Sequence, residues 1–114
     1  MFTNQILHLP PLSETSIFAA KVDLTNPGQG FYPCATPGDR QGWGLSFLLS
    51  SGARGRSMGS AQWSGLPNLR WWVDREKGVA GIIAMQLLPF GDPEAFMLAE
   101  DIEGGVYEGL NMQI

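Results

Sequence analysis

The run "SAQWSGLPNLRWWVDREKGVAGIIAMQLL", Ser60 to Leu88, constrains the fold of this chain more than any other feature. Three stretches rich in aromatic and β-branched residues are separated by two short corners, Gly65-Leu66-Pro67-Asn68 and the "DREKG" of Asp74 to Gly78. Corners that short join antiparallel neighbours and leave no room for a crossover helix, so the spacing predicts an antiparallel meander. In the last stretch Val79, Gly81, Ile83 and Met85 fall on one face, and Ala80, Ile82 and Ala84 on the other. Neither set is polar, and both faces of that strand require cover.

The flanks extend this pattern. Trp43, Leu45, Phe47 and Leu49 alternate with smaller or polar residues in "GWGLSFLLS" and predict a strand leading in; "SGARGR" then reads as a connection. Downstream, Asp92 is a good helix N-cap with Pro93 at the first helical position. Ala95, Leu98, Ala99, Ile102 and Val106 form one apolar stripe, which predicts a helix over 92–108 with Glu100, Asp101 and Glu103 on its solvated side. Gly104 and Gly105 weaken that helix by about 1 kcal/mol each relative to Ala. At the other end, Phe2, Ile6 and Leu9 recur at helical spacing before Pro10 and Pro11, which predicts the end of a helix over 1–7. Residues 8–42 hold five of the eight prolines with "NPGQG" and "TPGDR", and predict an irregular segment that wraps a surface or covers a site.

The expected class is therefore α+β: antiparallel strands over 43–88 closed by a C-terminal helix. One helix shields one face of a sheet whose two faces are apolar. That imbalance points to the C-terminal part of a larger fold over 1–114, with a missing N-terminal portion or self-association supplying the rest of the cover.

Composition excludes several functions. A net charge of −4 with seven scattered Lys and Arg makes no basic stripe, so nucleic acid is not an expected partner. Cys34 and His8 are each the single residue of their type, which rules out a disulfide framework or a Cys/His metal site built from this chain alone. The opening "MFTNQILHLPPL" lacks the basic n-region of a signal peptide, and no apolar run reaches membrane-spanning length. A soluble protein, cytoplasmic by default, is the expectation, with no membrane partner.

"GRSMGSAQWSGLPNLRWWVDREKGVAGIIAMQLLPFGDP", Gly55 to Pro93, resembles the C-terminal region of the serine β-lactamase-like family. That family includes class C β-lactamases, penicillin-binding-protein-like esterases and acyl-transferring transesterases, and the similarity is strongest to the esterase and transesterase branch. The resemblance implies a cofactor-free enzyme acting on small acyl esters, in which three motifs meet in a cleft: Ser-x-x-Lys with the nucleophile, a tyrosine motif, and a short strand motif, Lys-Thr-Gly or often Trp-x-Gly. Trp63-Ser64-Gly65 matches the third. It implies Trp63, Ser64 and Gly65 as substrate-binding residues and the Leu66 backbone amide as an oxyanion-hole donor. Trp63 stands where β-lactamases carry a lysine, so an uncharged ester suits the site better than a penicillin. Beside this stands the plainer reading of Trp63 as a core residue and Ser64-Gly65 as a turn.

The departures are as informative as the match. None of the eight serines has lysine three positions on, and neither Tyr32 nor Tyr107 sits in a Tyr-x-Asn pattern. No complete catalytic set is present in this chain, and a chain with the oxyanion wall alone is expected to be inactive by itself. A structural or binding module, or a chain that completes the fold in trans with a separate N-terminal part, is the alternative. Trp71, Trp72, Asp74, Arg75 and Asn68 are expected to pack or to shape turns.

Overall fold

The computed structural model describes residues 1–8, 21–26, 42–50 and 53–113. Five strands form one antiparallel sheet in the order β1-β2-β3-β4-β5: β1 is Gly42–Trp43, β2 Leu48–Ser50, β3 Ser60–Gly65, β4 Leu69–Asp74 and β5 Val79–Ala84. A single long helix, α1, runs from Pro93 to Met112. The α+β meander with its C-terminal helix is thus as the sequence predicts, and both short corners are hairpin turns. Most of the proline-rich stretch, 9–20 and 27–41, lies outside the described residues; within it Val22–Leu24 form a 3-10 turn.

Registry divides the side chains. Trp63, Trp71 and Ile82 are cross-strand partners on one face, while Gln62, Trp72 and Gly81 are partners on the other. The second face lies under α1, where Arg70, Trp72 and Asp74 are all buried. Gly81 is required there, because a Cβ on it would stand 2.2 Å from the ring of Trp72. The first face carries a core of Phe47, Leu49 and Ala61, with Phe2, Trp71 and Val73 packed against it. Its far side is open: Ala80, Ile82 and Ala84 are exposed.

Four sequence expectations change. Residues 1–7 are not helical; the segment lies beside β1, with Gln5 N donating to Trp43 O at 2.8 Å and Leu45 N to Met1 O at 3.3 Å. Asn4 explains this, since its side-chain oxygen accepts from Ile6 N and Trp43 N, an alternative to helical pairing. "GWGLSFLLS" is a hairpin rather than one strand, reversing at Leu45-Ser46 with Ser46 at φ 83 and Gly44 N bonded to Phe47 O. The helix continues to Met112, with Gly104 and Gly105 in its interior. Its buried stripe is Ala95, Ala99, Glu103 and Tyr107, whereas Leu98 and Ile102 are exposed.

Glu103 is therefore not on the solvated side. It is buried and ion-paired with Arg56, whose Nη2 lies 2.9 Å from Oε2 and whose guanidinium also reaches Gln62 on β3. A buried carboxylate is tolerable only with such a partner. Asp74 is likewise more than a turn residue: its carboxylate accepts from Ser57 N at 2.8 Å, Lys77 N at 3.1 Å and Tyr107 Oη at 3.1 Å.

Candidate functional site

The candidate motif occupies the end of β3 and the corner beyond it. Ala61, Trp63 and Gly65 alternate with Gln62 and Ser64, so Trp63 projects from the open face and Ser64 from the face under α1. The two side chains straddle the strand. They approach a common ligand only if that ligand lies along the strand's edge.

Among the described residues, strand pairing on that edge stops at Gln62. β2 pairs with β3 at Ser60, Ala61 and Gln62, and ends there because the chain turns away through Leu45-Ser46. From Ser64 onward β3 has a strand partner on its β4 side only, among the described residues. The Leu66 amide, at the start of the corner, makes no hydrogen bond to another described residue, and Leu66 itself is 46% exposed. Leu87 N donates to Pro67 O, and Leu87 and Leu88 are both exposed, so apolar side chains rim this end of the sheet.

Trp43 meets Trp63 edge to face with centroids 4.9 Å apart, and Trp71 is its cross-strand partner in the β3-β4 register. The Trp43 contact joins residues twenty positions apart and depends on the hairpin that the alternation of "GWGLSFLLS" concealed. Gly65 is not required by this chain's own packing: an added Cβ would meet Leu69 at 3.4 Å, an ordinary contact, and Gly65 is not among the positive-φ glycines.

The corner is held from beneath by Asn68. It is 2% exposed, adopts φ 53, donates to Leu87 O at 2.8 Å and Pro89 O at 2.9 Å, and accepts from Gly91 N at 2.9 Å and Asp92 N at 3.2 Å. One side chain thereby ties the β3-β4 turn to the segment that caps α1. Asp92 in turn accepts from Ala95 N at 2.8 Å as the predicted N-cap.

At the opposite end of β4 the Asp74 pair has defined protonation. Burial opposes ionisation of Asp74, but the amides of Ser57 and Lys77 and the Tyr107 hydroxyl outweigh it and hold the carboxyl below its ordinary value. Burial, with the Asp74 charge beside it, pushes the Tyr107 phenol well above its usual range. Tyr107 is thus a neutral donor packed in the core, which agrees with its lying outside any Tyr-x-Asn pattern. Among the described residues no cluster of His, Cys, Asp and Glu could hold a metal, and no helix is long and apolar enough to cross a membrane.

No family model matches this chain. Among curated proteins it is 48% identical over 40 residues to acyltransferase calJ of Penicillium decumbens, a match covering 35% of this chain and 10% of that protein. Among solved structures it resembles simvastatin synthase (LovD) of Aspergillus terreus. One LovD mutant matches with a TM-score of 0.61 and 27% identity over 65% of this chain and 19% of that one. A second mutant matches with a TM-score of 0.60 and 27% identity, over 64% and 20%. The unliganded protein matches at 0.56 and 28%, over 60% and 18%. The chain spans about a tenth of its curated relative and about a fifth of these structures. Its relatives are thus acyltransferases with a β-lactamase-like serine hydrolase fold, and its sheet and helix match a fragment of that fold.

Proposed function

We propose that this chain supplies one wall of an acyl-transfer site in a β-lactamase-like esterase or transesterase, and that the nucleophile lies outside it. The observation that carries this reading is the edge of β3 from Ser64 to Leu66, which no strand among the described residues pairs with on its β2 side, at the motif that resembles Trp-x-Gly, in a chain similar to acyltransferases.

An acyl ester laid along that edge meets three different chemistries. Trp63 offers an apolar wall to the acyl chain, and the Ser64 hydroxyl a polar contact on the other side of the strand. Gly65 lets the ester carbonyl approach the backbone. When a serine attacks that carbonyl, negative charge develops on its oxygen, and the Leu66 N–H stabilises it without reorganising. Nothing in this wall accepts the serine's proton or forms the covalent intermediate, so the chain alone does not turn over esters. No cofactor takes part in such a reaction.

The test pairs two variants in the complemented enzyme, assembled from this chain and the part of LovD outside the superposed region. Leu66→Pro removes the N–H donor and lowers kcat by about 100- to 1000-fold. Trp63→Ala leaves the donor in place and acts mainly on KM and on the choice of acyl chain. Circular dichroism establishes that the Leu66→Pro chain is folded before its rate is compared. A folded Leu66→Pro chain supporting full turnover overturns the assignment.

A further inference from the structure

Trp43 is held by its backbone from both sides. β2 pairs with it on one side, and on the other its N–H donates to the Asn4 side-chain oxygen at 3.1 Å while its carbonyl accepts from Gln5 N at 2.8 Å. The same Asn4 oxygen accepts from Ile6 N, which folds residues 4–6 against β1. Gly42 makes room for this arrangement, because a Cβ on it would stand 2.7 Å from Cγ of Asn4. Phe2 anchors the segment to the sheet, with its ring 4.9 Å from that of Phe47 and under the guanidinium of Arg75. The Trp43 indole in turn meets that of Trp63, one residue beyond the last β2-β3 pair, so the two rings touch where β3 leaves its β2 partner.

We infer that Trp43 is a positioning residue for the acyl wall: its indole fixes the ring of Trp63, Asn4 fixes Trp43, and together they set how long an acyl chain the site takes. The acyl part of this inference rests on the reading of Trp63 proposed above; the placement of Trp63 by Trp43 and Asn4 does not. An indole is a rigid plate that turns about its side-chain bonds, and as a wall it is only as definite as the groups that stop it turning. An edge-to-face neighbour favours one ring orientation over the others. Removing the Trp43 ring opens a space beside Trp63, into which the Trp63 ring retreats. The wall then stands further back, and a longer acyl chain fits. The Leu66 amide, at the β3-β4 corner, is not part of this series of contacts, so the charge developing on the ester oxygen is stabilised as before. A small displacement is enough, since one methylene in an apolar pocket changes kcat/KM by about 10- to 200-fold.

The indole N–H resonances of the full 114-residue chain, assigned by replacing each tryptophan with Phe, test the placement without reference to catalysis. Asn4→Ala, at a residue bonded to the Trp43 backbone, is expected to shift the Trp63 indole resonance by changing the ring current it receives from Trp43. Asn4→Asp keeps an acceptor oxygen for both amides and is expected to restore it. In the complemented enzyme Trp43→Ala is expected to raise kcat/KM for p-nitrophenyl hexanoate relative to the acetate about tenfold, through KM, with kcat changed by less than about twofold. Trp43→Phe keeps an aromatic edge against Trp63 and retains most of the original preference; it also carries the test if the alanine variant fails to fold. A Trp63 resonance that neither Asn4→Ala nor Trp43→Phe moves overturns the placement. An equal fall in kcat for both esters, with their ratio unchanged, is a structural loss and overturns the role in specificity. If the Trp63 resonance follows Asn4 while Leu66→Pro leaves turnover unchanged, the placement stands and the site assignment falls.

Discussion

Asn68 holds together what the site depends on. Its four hydrogen bonds connect the β3-β4 corner to residues 87–92, with the one from Gly91 N buried and the other three partly buried. Asn68→Ala removes all four and leaves the buried Gly91 amide without its acceptor, and is expected to cost on the order of 3 kcal/mol in urea unfolding. Asp74 and Tyr107 give the fold a pH signature of its own. The Asp74 carboxyl is depressed in the folded state, so its contribution is complete above the ordinary carboxylate value of about 4 and is lost as pH falls through the folded value. Tyr107 is raised, so its contribution is complete below about pH 10 and declines as pH rises above that. Stability against pH is expected to show a plateau between these limits, and Tyr107→Phe removes the alkaline decline attributable to the phenol. An alkaline limb unchanged in Tyr107→Phe, measured by urea titration at each pH, contradicts this account of the pair.

At the scale of elements, α1 carries glycines that its packing does not explain. Gly104, Gly105 and Gly109 lie inside the helix, and a Cβ at any of them meets nothing within 4 Å. Gly105→Ala is therefore expected to stabilise the isolated chain by about 0.5–1 kcal/mol, read as a higher urea midpoint with the slope unchanged. The helix also shows where sequence patterns stop being informative. Asp92 and Pro93 mark its start from local chemistry, which the sequence states directly. Its inward stripe was obscured because two of its four residues, Glu103 and Tyr107, are polar and are satisfied by Arg56 and Asp74, residues 47 and 33 positions away. No local periodicity signals a partner that distant. The strands from Ser60 to Ala84 were legible for the converse reason, since short corners and alternation are local. The two-residue β1 and the reversal at Ser46 were not, because a period-two pattern continues unbroken across a tight turn. Of the site, the motif Trp63-Ser64-Gly65 was visible in the sequence, while the end of the β2 pairing at Gln62 and the Trp43 contact emerged only from the strand pairing.

Across the whole molecule three features stand together. One face of the sheet is under α1, while Ala80, Ile82 and Ala84 on the other are exposed; among the described residues no strand lies beyond β5; and no serine of the chain has lysine three positions on. These features agree if the chain is one wall of a divided acyl-transfer site, and each is a cost to stability or solubility without an evident return if it is not. A divided site fixes where a transferred acyl group resides. Intact-mass spectrometry of the complemented enzyme, quenched during turnover of an activated ester such as p-nitrophenyl acetate, measures this directly. The acyl adduct is predicted on a serine of the complementing portion, formed only when this chain is present, while the 12.4 kDa chain keeps its unmodified mass. An acyl group on any of this chain's own serines, or acylation of the complementing portion at full rate in the chain's absence, contradicts it.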